Sequence, residues 1–201
     1  MSSSRDPRTT PASFSDHAEA NLRFIRQAME RSSAFTAVPG LGGVGMGVVG
    51  LAAAPVAAHQ PSDERWLVTW LVAAVIALAV GATAIRRKAA RNGAPLTGPI
   101  GRRFGLGLAA PLVVGAAMTY ALWRIDAYAV MAPMWLLLYG AGVIVGGLFS
   151  APVVRIAGAC YMAAGLAAIV TPSGWGTLWL ALGFGGLQIG FGLYIARRLG
   201  G

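Results

Sequence analysis

The chain has 201 residues, 56% hydrophobic and only 11% charged, with mean hydropathy +0.64 and a formal net charge of +9. Soluble domains carry roughly 25% charged residues, so this composition excludes an ordinary water-soluble fold. The basic balance does not point to nucleic acid either, because the Lys and Arg residues sit at the ends of apolar runs, where membrane topology needs them.

In chain order, residues 1–15 (MSSSRDPRTTPASFS) are rich in Ser, Thr and Pro and read as a disordered terminus. From Asp16 the pattern changes. Asp16 and Glu19 are placed to cap a helix start, and Ala18, Leu22, Ile25 and Met29 recur at helical spacing among Glu19, Arg23, Arg26, Gln27, Glu30 and Arg31. Residues 16–34 are therefore expected to form an amphipathic helix in the inner interface. Six apolar segments follow, at 36–58, 66–85, 104–123, 133–150, 153–171 and 176–196. Each approaches the ~20 residues that cross a bilayer core. Pro152 places a break at Ser150–Pro152 between the fourth and fifth. Val56-Ala57-Ala58 resembles a signal-cleavage site, but 35 residues precede the apolar stretch, so it reads as a retained span. The expected fold is an all-α six-helix transmembrane bundle over residues 35–198.

Two distributions orient the spans. Of the 16 basic residues, 14 fall on one side and only Arg65 and Arg124 on the other. The positive-inside rule makes the basic side, with both termini, cytoplasmic. Trp66, Trp70, Trp123, Trp135, Trp175 and Trp179 all fall at the outer ends, where an amphipathic indole favours the interface.

Trp70-Leu71, Trp135-Leu136 and Trp179-Leu180 each open an even-numbered span, with Gly81, Gly146 and Gly190 placed 11 residues beyond each Trp. That suggests three tandem hairpins. Gly45-Met46-Gly47-Val48-Val49-Gly50 matches GxGxxG, yet it lies inside a span rather than after a strand. It reads instead as a packing face, Gly43 and Gly47 being four apart, and Gly142/Gly146 and Gly186/Gly190 repeat that spacing.

Inside the bilayer the polar set is thin and neutral. Thr119, Tyr139, Tyr161 and Gln188 are the candidates for lining a cavity or bonding between helices. Gln188 is the one side-chain amide there, and no Asp, Glu, Lys, Arg or His lies at mid-depth. Ion-coupled transport and intramembrane hydrolysis normally use such groups. At the outer end His59, Asp63, Arg124 and Asp126 are candidates for a small polar mouth. With one cysteine and two distant histidines, no metal site or cofactor is expected. Arg23, Arg26, Arg31, Arg86, Arg87 and Lys88 are candidates for contact with anionic lipid or a cytoplasmic partner.

The stretch Ala20-Asn21-Leu22-Arg23-Phe24-Ile25-Arg26-Gln27-Ala28-Met29-Glu30-Arg31, followed by Phe35-Thr36-Ala37-Val38-Pro39-Gly40, resembles the start of a family of uncharacterised bacterial multi-pass membrane proteins. The resemblance implies a bacterial inner-membrane protein and nothing about mechanism. The functional expectation is a non-enzymatic regulatory, sensory or accessory subunit, able to form a homo-oligomer. A small transporter or channel for a neutral or apolar solute is the alternative.

Overall fold

The computed structural model describes residues 21–22, 24–25, 40–91 and 99–198. Of the expected amphipathic helix, residues 21, 22, 24 and 25 are helical; the rest of it, with Arg23, Arg26 and Arg31, lies outside the described residues. Apart from short connections the remainder is helical, and no strand occurs among the described residues. The helices are α1 (Gly40–Ala58), α2 (Asp63–Arg91), α3 (Pro99–Arg124), α4 (Met131–Gly146) and α5 (Pro152–Val170). The last span contains α6 (Gly176–Leu180), a π-helical segment (Ala181–Leu187) and α7 (Gln188–Arg198). Six stretches are long and apolar enough to cross a membrane, and the protein is a multi-pass membrane protein.

The helix ends differ from the hydropathy boundaries in ways the local sequence explains. α2 continues past Ile85 through Arg86, Arg87 and Lys88 to Arg91, because Arg and Lys are good helix formers that carry their charge out of the apolar layer. α4 stops at Gly146, four residues before the expected end, and tightens into a 3₁₀ turn at Gly147–Phe149. Two consecutive glycines loosen the helix there. Ser150 and Ala151 are extended, and Pro152 opens α5, where its missing N–H costs nothing.

Packing is organised by glycine rather than by large side chains. α1 lies antiparallel to the last span: a Cβ on Gly40 would fall 2.3 Å from Ala196 N, one on Gly47 2.9 Å from Gly185 O, and one on Gly50 2.6 Å from Phe184 O. Gly43 faces Gly192 in the same seam, so the expected packing role of Gly43 and Gly47 is met. α4 and α5 approach as closely, with Gly140 and Gly158 each against the other's carbonyl oxygen. α3 meets α4 through Gly107 and Gly146. Gly186 and Gly190 do not repeat this role. Both are exposed with nothing in reach of an added Cβ, and Gly183, Gly185 and Gly192 make the contacts instead.

Three hairpins follow one another in the chain, but they do not pack alike. α1 lies along α2, and α3 along α4. In the third pair α5 lies mainly along α4, while the last span lies mainly along α1. α2 and α3 are thus outer helices, with Val68, Val72, Val75, Leu106, Val113 and Met118 turned outward. One apolar cluster joins Ala53, Ala57, Trp70, Ala73, Ala132, Leu136, Tyr161 and Leu180; a second joins Val143, Val154 and Ile195 nearer the basic end.

Candidate functional site

The end of the bundle away from Arg197 and Arg198 is held by indole–hydroxyl pairs across spans. Trp66 Nε1 donates to Thr177 Oγ1, Trp135 Nε1 to Thr119 Oγ1 and Trp179 Nε1 to Thr171 Oγ1, each at 2.8 Å. Trp66 also stacks on Trp135, with ring centroids 5.8 Å apart and planes 4° from parallel. These tryptophans are half-buried struts, whereas Trp123 and Trp175 are exposed as interfacial anchors should be. Trp70 departs from the expectation: it is 4% exposed, inside the core, and its Nε1 has no hydrogen-bond partner. Trp135→Phe is expected to lower stability by about 1 kcal/mol, the worth of one interhelical hydrogen bond. Unfolding midpoints in mixed micelles measure it.

Thr119 therefore bonds between helices, the second of its two expected roles, and does so at this end of the bundle. Its hydroxyl donates to Gly115 O at 2.7 Å while accepting from Trp135. The outer-mouth candidates are all exposed. His59 Nδ1 is 2.7 Å from Pro55 O, closing the end of α1, and Asp126 takes a left-handed φ of 55°, which Asp tolerates. Glu64, Asp126 and Asp63 are near enough to Tyr128 to act on it electrostatically.

The other three interior candidates converge. Tyr139 of α4, Tyr161 of α5 and Gln188 at the start of α7 meet at mid-depth: both tyrosine hydroxyls donate to Gln188 Oε1, Tyr139 at 3.4 Å. Their placement follows from the local backbone. The Gly140–Gly158 contact draws α4 and α5 together, so the adjacent Tyr139 and Tyr161 rings meet edge to face, 4.8 Å between centroids. Phe184 completes an aromatic triangle, 5.2 Å from Tyr139 and 5.9 Å from Tyr161. Tyr161 is buried at 2% exposure and packs over Gly183.

The π-helical segment sets the direction of Gln188. A π turn accommodates one more residue than an α turn and rotates whatever follows. Here it lies immediately before Gln188. Three glycines in four positions, Gly183, Gly185 and Gly186, lower the cost of leaving α geometry. The apolar run at 176–196 predicts a continuous helix, and the glycine cluster is its one sign of a departure. The candidates drawn from the sequence do not include Phe184 and Met46. Among the described residues Gln188 Nε2 reaches only Met46 Sδ, at 4.0 Å, so one amide oxygen accepts two hydroxyls while the amide N–H groups face a weak thioether acceptor.

The cluster is uncharged and its hydroxyls are engaged with the amide, so it presents no nucleophile–base pair. What it can do chemically is hold three spans in register and offer hydrogen bonds. Comparison with protein-family models, with curated proteins and with solved structures finds no match to this chain.

Proposed function

We propose that this protein is a non-enzymatic bacterial inner-membrane subunit, accessory or regulatory in role, that works through a basic cytoplasmic end. The observation that carries the reading is the segregation of charge along the bundle. Gly40 lies against Ala196, so the start of α1 and the end of α7 share one end. Arg86, Arg87, Arg155, Arg197 and Arg198 are exposed toward that end, with Lys88 half-buried beside them. The positive-inside rule makes this end cytoplasmic, and such a ring attracts anionic headgroups and acidic partner surfaces. The remainder of the bundle is apolar, glycine-packed and neutral at mid-depth, which supports a scaffold over an ion pathway.

The test is affinity purification of the full chain beside the Arg86→Gln/Arg87→Gln/Arg197→Gln/Arg198→Gln variant and a chain lacking residues 1–34. Loss of co-purifying proteins from either variant, with unchanged membrane insertion, is the expected result. The same proteins recovered from all three remove the docking role. The same quadruple variant in vesicles is expected to recruit less phosphatidylglycerol, by about 1 kcal/mol for each charge removed near the surface.

A second reading, passage of a neutral solute, is favoured by one observation, the meeting of Tyr139, Tyr161 and Gln188 between the spans. Flux of neutral solutes into proteoliposomes above protein-free controls would move the assignment there.

A further inference from the structure

The geometry points to a binding site for a small, neutral, lipid-soluble molecule carrying a carbonyl or ether oxygen, at the Gln188 amide behind the Met46 side chain. Both tyrosine hydroxyls are committed to Gln188 Oε1, which leaves its amide N–H groups as the donors of the cluster. They point to Met46 Sδ at 4.0 Å, and a thioether is a poor acceptor compared with a carbonyl. An amide in an apolar interior gains from any better acceptor that reaches it. The chemistry selects the ligand: it must accept a hydrogen bond, and it must be uncharged, because no cation lies at this depth among the described residues.

The place for it is the seam between α1, α2 and the last span. Met46 Sδ sits over Gly81 of α2, so near that a Cβ added there would lie 2.8 Å from the sulfur. Gly81 thus leaves room that the thioether occupies. Methionine is unbranched and turns about three side-chain bonds, so it can swing aside without moving a helix. Met46 and Gln188 are only half-buried, which puts the seam within reach of lipid-soluble molecules. Tyr139 and Phe184, partly buried and in edge-to-face contact, are the aromatic neighbours of the seam. The inference stands apart from the partner-docking role, which concerns the opposite kind of surface.

Benzophenone is the probe: neutral, apolar, with one carbonyl. On near-ultraviolet irradiation its carbonyl oxygen takes a hydrogen atom from a nearby C–H. The two carbon radicals then join, so one C–H bond breaks, one C–C bond forms, and the carbonyl becomes a tertiary alcohol. With the carbonyl on the Gln188 amide, the Met46 side chain, its sulfur 4.0 Å from that nitrogen, brings its C–H bonds into range. The full chain in nanodiscs is irradiated over a concentration series, and adducts are mapped by mass spectrometry. Expected is saturable labelling at Met46, reduced by excess 2-decanone but not by dodecane, which has no acceptor. Gln188→Leu lowers it about fivefold, the equivalent of one hydrogen bond. Gly81→Ala, which leaves the tyrosine–amide bonds intact, lowers it by crowding the sulfur and serves where Gln188→Leu fails to fold. Labelling spread over outward-facing residues without enrichment at Met46, equal competition by dodecane, or labelling unchanged in both variants overturns the site.

Discussion

Gly158→Ala is expected to destabilise the bundle by on the order of 2 kcal/mol, the cost of overpacking a filled interior, while Gly190→Ala stabilises it by roughly 0.5–1 kcal/mol. The two substitutions are chemically identical and both lie in helices, so their difference isolates the environment. A methyl on Gly158 would stand 2.7 Å from Gly140 O and 2.9 Å from Ile144 N, both backbone atoms that cannot swing away. Relief requires moving α5 off α4, and that separates the Tyr139 and Tyr161 rings packed beside this contact. Gly190 has nothing within 4 Å of an added Cβ; alanine there only reduces the freedom of the unfolded chain. Reversible unfolding in mixed micelles, followed by far-ultraviolet circular dichroism, gives both numbers. Equal shifts for the two variants would show that the glycine seams are not what holds α4 to α5.

That contrast also marks what could be read without coordinates. The number of spans was legible because bilayer thickness imposes a length on every apolar run, and hydropathy is a property of the linear chain. The break at Ser150–Pro152 was legible because Pro152 acts locally. Which way a glycine faces was not. Gly43/Gly47 and Gly186/Gly190 have the same spacing, yet only the first pair lies in a seam, because the π-helical segment rotates the register of the last span. The same rotation brings Gln188 to the tyrosines. Tyr139, Tyr161 and Gln188 were predictable partners in depth, each lying near the middle of its span. Thr119 lies five residues from Arg124, the last residue of α3, a depth that places it with the tryptophans. Met46 drew no notice because a thioether in an apolar run carries no polar signal.

The bonding pattern at Gln188 leads to a result that pairwise reasoning would miss. Tyr161→Phe removes one of two donors to Gln188 Oε1 and leaves Tyr139 in place, so its cost is about 1 kcal/mol. Gln188→Leu is expected to cost more, on the order of 2–4 kcal/mol, because it strands two phenol hydroxyls with no acceptor at about 1–3 kcal/mol each before local relaxation. Tyr161 at 2% exposure has no route for its hydroxyl to water. Removing all three polar groups together, as Tyr139→Phe/Tyr161→Phe/Gln188→Leu, leaves none of the cluster's own polar groups unpaired and substitutes shapes of nearly the same volume. The triple variant is therefore expected to lie within about 1 kcal/mol of the parent chain and to be more stable than Gln188→Leu alone. Adding two mutations to a damaged protein would repair it. Unfolding free energies of the single, double and triple variants under one set of micelle conditions decide the matter. If the triple variant is less stable than Gln188→Leu, the tyrosines are held by ring packing rather than by the amide, and the cluster is not a hydrogen-bonded unit. If stability returns while benzophenone labelling at Met46 does not, the amide has a task beyond holding helices together, since an all-apolar core serves the fold equally well.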